Sequence, residues 1–108
     1  MYKLSRLAAE DFAAIYEYTL LHFGVRQADA YTDDLERIFR LLASAPLMGT
    51  EPSGLTESGE LTEGIRRHDH QQHAIFYRCR ERDIFVIRIL HHKMAPMKYL
   101  VEYHGLSE

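Results

Sequence analysis

Apolar residues follow a helical period in the first half of the chain and a strand period in the second. From Leu7 onward, Phe12, Ile15, Tyr16, Thr19 and Phe23 recur at three- and four-residue intervals, the signature of one helical face. Gly24 then offers a left-handed cap. The alternating run Tyr2-Lys3-Leu4-Ser5 predicts a single strand ahead of this helix, which should begin near Ser5 or Arg6. Ala28, Tyr31, Leu35, Ile38, Phe39 and Leu42 form a second helical stripe, with Asp33, Asp34, Glu36, Arg37 and Arg40 mostly off it. Pro46 ends that helix. Only two or three residues around Gly24-Val25-Arg26 separate the helices, so they should pack as an antiparallel hairpin.

Between Pro46 and Thr62 neither period survives, and Gly49, Pro52, Gly54 and Gly59 punctuate a loop of 17 residues, longer than most connections. Three strands are predicted beyond it, at Gly64–Asp69, Ala74–Arg80 and Ile84–His91, joined by the polar connectors Asp69-His70-Gln71-Gln72 and Arg80-Glu81-Arg82-Asp83. Strict alternation sets Ala74, Phe76 and Arg78 against Ile75, Tyr77 and Cys79. It likewise sets Phe85, Ile87, Ile89 and His91 against Val86, Arg88, Leu90 and His92. Both parities are largely apolar, so both sheet faces need cover: the hairpin on one, and the segment Met94 to Tyr103 or a partner on the other. Pro96 can start a helical turn there that groups Met97, Leu100 and Val101. The expected architecture is α+β and a single domain over residues 1–108. An N-terminal strand, an antiparallel helical hairpin and a three-stranded antiparallel meander form one sheet of about four antiparallel strands.

Composition adds a polarity. The 108 residues are 46% hydrophobic and 27% charged, ordinary for a globular domain. The net charge of −3 conceals five basic and eleven acidic side chains in residues 1–64, against eight basic and five acidic in residues 65–108. Six of the seven histidines also lie in the second half. An anionic partner for that half, nucleic acid or an acidic protein segment, would fit this asymmetry. A single cysteine, Cys79, cannot form an internal disulfide and suits a reducing compartment. With no signal-peptide core and no apolar run of about 20 residues, a cytoplasmic location is expected.

Chemistry would have to come from the histidines and arginines of the strands, which alternation places on one exposed cationic face. His68, His70, His73, His91 and His92 lack the carboxylate or cysteine company and the spacing of a metal site, and no cofactor motif is present. Acid–base cleavage of a phosphodiester would use His73, His91 or His92 to move protons and Arg66, Arg67, Arg78 and Arg88 to hold phosphate. Ser53, Thr56 and Ser58 stand in no nucleophile elbow, which sets covalent catalysis aside.

Six segments in this order are Tyr2-Lys3-Leu4-Ser5, Phe23-Gly24-x-x-Gln27-Ala28-x-x-Tyr31, Leu41-Leu42-Ala43-x-x-Pro46-x-x-Gly49, Gly64-Ile65-Arg66-Arg67, His73-Ala74-Ile75-Phe76-Tyr77-Arg78 and Ile87-Arg88-Ile89-Leu90-His91-x-x-Met94. Together the chain resembles the ParE branch of the RelE/ParE toxin superfamily over about residues 2 to 100. The resemblance implies a toxin of a type II toxin–antitoxin pair, acting on DNA gyrase without an active site or cofactor. A ParD-like antitoxin would neutralise it by folding its disordered C-terminal segment onto the sheet edge and the hairpin. Gyrase contact is then expected from Arg88, His91, His92, Lys93, Met94, Met97, Lys98 and Leu100, and antitoxin contact from Phe12, Ile15, Tyr16, Arg66, Arg67 and Arg78. No membrane association and no direct sequence-specific nucleic-acid binding are expected. The alternative is the ribosome-dependent mRNA endonuclease of the RelE and YoeB type, which would employ His73, His91, His92, Arg66 and Arg78. YoeB-like nucleases carry an arginine directly after the histidine that opens the middle strand, where this chain has Ala74.

Overall fold

A computed structural model describes residues 1–50 and 64–94. Strand β1 (Tyr2–Leu4) leads into α1 (Arg6–Phe23), α2 (Val25–Ser44) and a one-turn 3₁₀ helix (Pro46–Met48). Then come β2 (Ile65–His70), β3 (His73–Cys79) and β4 (Ile84–His91). Ser5 fixes the first junction. Its hydroxyl accepts from Ala8 N–H at 2.9 Å, capping α1, and donates to the Ile87 carbonyl at 2.7 Å, while its own N–H bonds the Val86 carbonyl.

Gly24 alone connects the helices, in place of the two or three residues expected. Its N–H bonds Leu20 O at 3.0 Å and its carbonyl accepts Ala28 N–H at 3.1 Å. The positive φ of 92° is the glycine feature anticipated, but ψ of 171° makes the cap extended rather than left-handed helical.

The sheet runs β1-β4-β3-β2. β2, β3 and β4 form the expected antiparallel meander. β1, however, pairs parallel to β4, with Tyr2 opposite Ile84 and Leu4 opposite Val86, which corrects the expectation of an entirely antiparallel sheet. The intervening helices and strands supply the long connection that parallel pairing needs. The β2–β3 connector also differs: His70 pairs with His73, leaving a two-residue turn in which Gln71 takes φ 52°.

The main departure from strict alternation lies in β4. Phe76 pairs with Arg88 and Tyr77 with Val86, so Ile87 is one residue in excess, a bulge that reverses parity along the strand. Ile84, Val86 and Ile89 therefore share the helix-side core with Ile75, Tyr77, Ala8, Ile15, Leu35, Ile38, Phe39 and Leu42. Phe85, Ile87 and Leu90 join Ile65, Ala74 and Phe76 on the far face, with Met94 packed against them. Met94 thus contributes to the far face as expected, whereas Pro96, Met97, Leu100 and Val101 lie outside the described residues. Fully burying a side chain such as Phe39 or Leu35 contributes about 1.5–3 kcal/mol, so the two clusters dominate stability. No helix among the described residues is long and apolar enough to cross a membrane.

Tyr77 ties the chain after α2 to the core. Its hydroxyl donates to Pro46 O at 2.6 Å and accepts from Gly49 N–H at 2.9 Å, just before Thr50 and Arg67 exchange two backbone hydrogen bonds. Tyr77→Phe removes the hydroxyl and leaves the Gly49 N–H and Pro46 carbonyl short of a partner in a buried setting. The expected cost is about 1–3 kcal/mol, read as a lower urea midpoint with unchanged slope.

Candidate functional site

The cationic residues do not share one face. On β2, Arg66 turns toward the chain after α2, its Nε donating to Gly49 O at 2.9 Å and its Nη2 to Leu47 O at 3.2 Å. Arg67 pairs with Asp69 at 2.7 Å and lies over the Phe76 ring. Arg78 is half-buried, and its Nε is buried without a hydrogen-bond partner. Asp83, a candidate partner for Arg78, instead takes both Arg80 Nε and Nη2 at 2.7 Å, and that hydrogen bonding holds the Asp83 carboxyl below its ordinary range.

Arg88 is the clearest correction. Expected at an exposed surface, it is 6% exposed and forms a bidentate pair with Asp11 of α1, Nε to Oδ2 at 2.8 Å and Nη2 to Oδ1 at 2.9 Å. Asp11 Oδ2 also accepts Ile89 N–H at 2.9 Å. Arg88 directly follows the bulge residue Ile87, and Asp11 reaches both its guanidinium and the next backbone N–H. One signal in the sequence pointed to it: Asp11 falls between Ala8 and Ile15 on the buried stripe of α1, where a carboxylate requires a partner.

The histidines gather where the β2–β3 turn meets the end of β4. The Tyr31 hydroxyl of α2 lies 2.6 Å from His73 Nδ1 and 3.5 Å from His70 O. The His73 and His91 rings meet edge to face at 5.4 Å, and the Tyr31 and His70 rings approach to 5.9 Å. Burial first, and then the neighbouring His91 and His92, push His73 down to about 4. Burial lowers His70 as well, and raises Tyr31. The His70 Nε2 atom is buried without a partner. Among the described residues no group of three or more His, Cys, Asp or Glu side chains is arranged to hold a metal ion.

The histidine and arginine candidates for phosphodiester cleavage stand apart. His73 opens β3, whereas Arg78 lies five residues further along it and Arg66 is paired with Tyr77, four residues along. At about 3.3 Å per residue these backbone separations are on the order of 16 and 13 Å. Of the residues expected to contact a target, His92 and Lys93 are exposed, His91 is half-buried in the cluster, and Met94 packs on the far face. Met97, Lys98 and Leu100 lie outside the described residues.

On the hairpin, Phe12 and Ile15 point into the core, and the Tyr16 hydroxyl donates to Asp29 at 2.8 Å. The apolar side chains it does expose are others. Tyr18, Leu21, Phe23 and Val25 at its tip are 59%, 73%, 68% and 58% exposed, so Phe23 does not belong to the buried stripe as predicted. Leu47 and Met48 project from the 3₁₀ turn that Arg66 holds, near the exposed Leu41. Alternation and periodicity missed these patches because residues at a helix end keep the period while lying beyond the reach of the sheet.

Residues 2–96 match the model of a family described as the ParE toxin of the type II toxin–antitoxin system parDE. Toxin ParE1 of Caulobacter vibrioides is 33% identical over 99 residues, covering 92% of this chain and 96% of that protein. Toxin ParE1 of Mycobacterium tuberculosis is 31% identical over 94 residues, covering 86% and 90%. Among solved structures, a chain of the chromosomal ParDE system from P. aeruginosa shares the fold, with a TM-score of 0.67 over 83% of this chain and 92% of that one, at 22% identity.

Proposed function

Because the chain belongs to the ParE toxin family of type II toxin–antitoxin systems, we propose that it arrests growth by binding DNA gyrase and is neutralised by a ParD-like antitoxin. Binding without catalysis is favoured by one observation above the rest: Arg66 and Arg78 lie at the opposite end of the meander from His73 and His91. Arg66 is moreover engaged by two backbone carbonyls and Arg88 by Asp11, so neither presents an open guanidinium fork. The exposed side chains beside the end of β4, the imidazole of His92 and the ammonium of Lys93, suit an acidic protein surface or DNA held by gyrase.

For the antitoxin, the exposed apolar residues at the hairpin tip are better suited than Phe12 and Ile15, which the toxin's own core already uses. Exposed large apolar side chains gathered at one end of an element suit a protein interaction site. An amphipathic antitoxin helix would cover Leu21, Phe23 and Val25, in the manner of helix-in-groove recognition.

A supercoiling and cleavage assay with gyrase, run beside an mRNA-integrity check in a translating extract, tests the reading. Linear, gyrase-linked DNA with intact transcripts is expected. Lys93→Glu should weaken poisoning at least about tenfold, corresponding to about 1.4 kcal/mol of binding, while antitoxin binding is retained. Equimolar antitoxin should restore supercoiling. Untouched gyrase with transcripts cut at the ribosome would instead support the nuclease alternative.

A further inference from the structure

Tyr31, His70, His73 and His91 come from three separate parts of the fold, and their contacts are the polar link between α2 and this end of the sheet. With His73 neutral and its proton on Nε2, Nδ1 accepts the Tyr31 hydroxyl proton at 2.6 Å. The Gln72 carbonyl accepts His92 N–H at 3.0 Å, and Met94 N–H and Lys93 N–H fold back on His91 O and Nδ1 at 2.9 and 3.1 Å. Hydrogen bonds thus tie α2 to the turn, and the turn in its own right to residues 91–94.

We propose that this Tyr31–His73 clasp is an acid-operated latch: protonating the histidine cluster releases the β2–β3 turn and residues 91–94 from α2. Its physical basis is geometric. A protonated His73 carries hydrogen on Nδ1 and can only donate to the Tyr31 oxygen, which inverts the bond, leaves the Tyr31 hydroxyl hydrogen only the His70 carbonyl at 3.5 Å, and sets a charge in a half-buried site beside other imidazoles. The groups facing His73 are His70 on β2, His91 and His92 at the end of β4, Tyr31 on α2 and Asp11 on α1, the last already engaged by Arg88 and Ile89. His70 faces His68 on its own strand and Asp34 and Arg37 on α2, which pair with each other at 3.2 Å. Three of the neighbours around His73 are themselves imidazoles, so acid adds like charges around it with one carboxylate in opposition.

The sign follows from burial. An unfolded or released His73 titrates near 6.5 and the closed one near 4, so the released state binds more protons between these values. Closure is complete above pH 6.5 and is lost as the pH falls toward 4. Each pH unit in that window raises the open-to-closed ratio by up to about tenfold per proton. The latch is a property of the fold and does not depend on which target the toxin binds. Residues 91–94, which include the exposed His92 and Lys93, are what it would reposition.

The test is amide hydrogen exchange by NMR on the full chain from pH 7.5 to 4, corrected for intrinsic rates. Protection of His92 N–H, donated to Gln72 O, should fall between pH 6.5 and 4 while Ile75 and Ile89 in the core stay protected. His73→Asn, whose side-chain carbonyl takes the place of Nδ1 and can still accept from Tyr31 but does not titrate, should flatten that dependence at least about tenfold. Constant His92 protection across the range, or loss in step with Ile75 and Ile89, would overturn the latch. The wild-type profile alone decides if the variant does not fold.

Discussion

Asp11→Ala is expected to lower folding stability by about 3–5 kcal/mol, because it removes the carboxylate from a buried ion pair and leaves the guanidinium in place. The side chains of Arg88 and Asp11 are 8% and 15% exposed, so water cannot readily replace the lost partner. The same carboxylate accepts the Ile89 N–H at the bulge, and its loss also leaves that backbone donor without its acceptor. Urea unfolding followed by circular dichroism should show the midpoint falling with little change in slope. A double replacement, Asp11→Leu with Arg88→Met, should recover most of the loss, since a matched apolar pair carries no buried charge. If the single variant loses less than about 1 kcal/mol, the pair is solvated and the bulge is held by apolar packing alone.

Gly49→Ala should rank next, at about 2–3 kcal/mol, the upper range for forcing one carbon into a filled site. Its φ of −72° is open to any residue, so the requirement here is space. A Cβ at this position would lie 2.8 Å from Tyr77 Cε1 and 3.0 Å from Arg67 O. One neighbour is a ring locked in the core and the other is strand backbone, and neither can swing aside as a flexible side chain would. The adjacent Thr50–Arg67 bridge must separate, or the Tyr77 hydroxyl must leave Pro46 O. Because Tyr77→Phe has already given up that hydroxyl, Gly49→Ala in the Tyr77→Phe background should cost less than in the wild type. A coupling of at least about 0.5 kcal/mol is expected in a double-mutant cycle. Strict additivity would show that the clash falls on the strand backbone instead.

Both helices are legible because Phe12, Ile15 and Thr19 in the first and Leu35, Ile38, Phe39 and Leu42 in the second repeat over several turns, and the three meander strands fall within about two residues of their predicted ends. The bulge is not. An extra residue in a strand is visible in a sequence only when it breaks an apolar–polar alternation, and Ile84 through Leu90 is apolar at every position except Arg88. That one polar residue reads as solvent-facing in the sequence, whereas in the fold it pairs with Asp11 of α1. The histidines were noticed as a set, but Tyr31 was read only as part of a helical stripe. Its hydroxyl acquires a partner through a contact spanning 42 residues, which no local pattern encodes. The direction of β1 was hidden for a similar reason: a three-residue strand specifies neither neighbour nor orientation until β4 is placed beside it.

The pairing of β1 with β4 also sets a clock. Residues 2–4 are among the first made and residues 84–86 among the last of the sheet, so the N-terminal strand waits through synthesis of both helices and the rest of the meander before it finds its neighbour. The Ser5 hydroxyl, which caps α1 and bonds Ile87 O, is completed at that same late moment. Long-range closure of this kind slows folding relative to local helix pairing. A nascent chain can assemble the helical hairpin early and yet lack the finished sheet until β4 has emerged. Toxicity that depends on the completed fold would therefore lag behind formation of the hairpin, and an antitoxin already in the cell has that interval to intercept it.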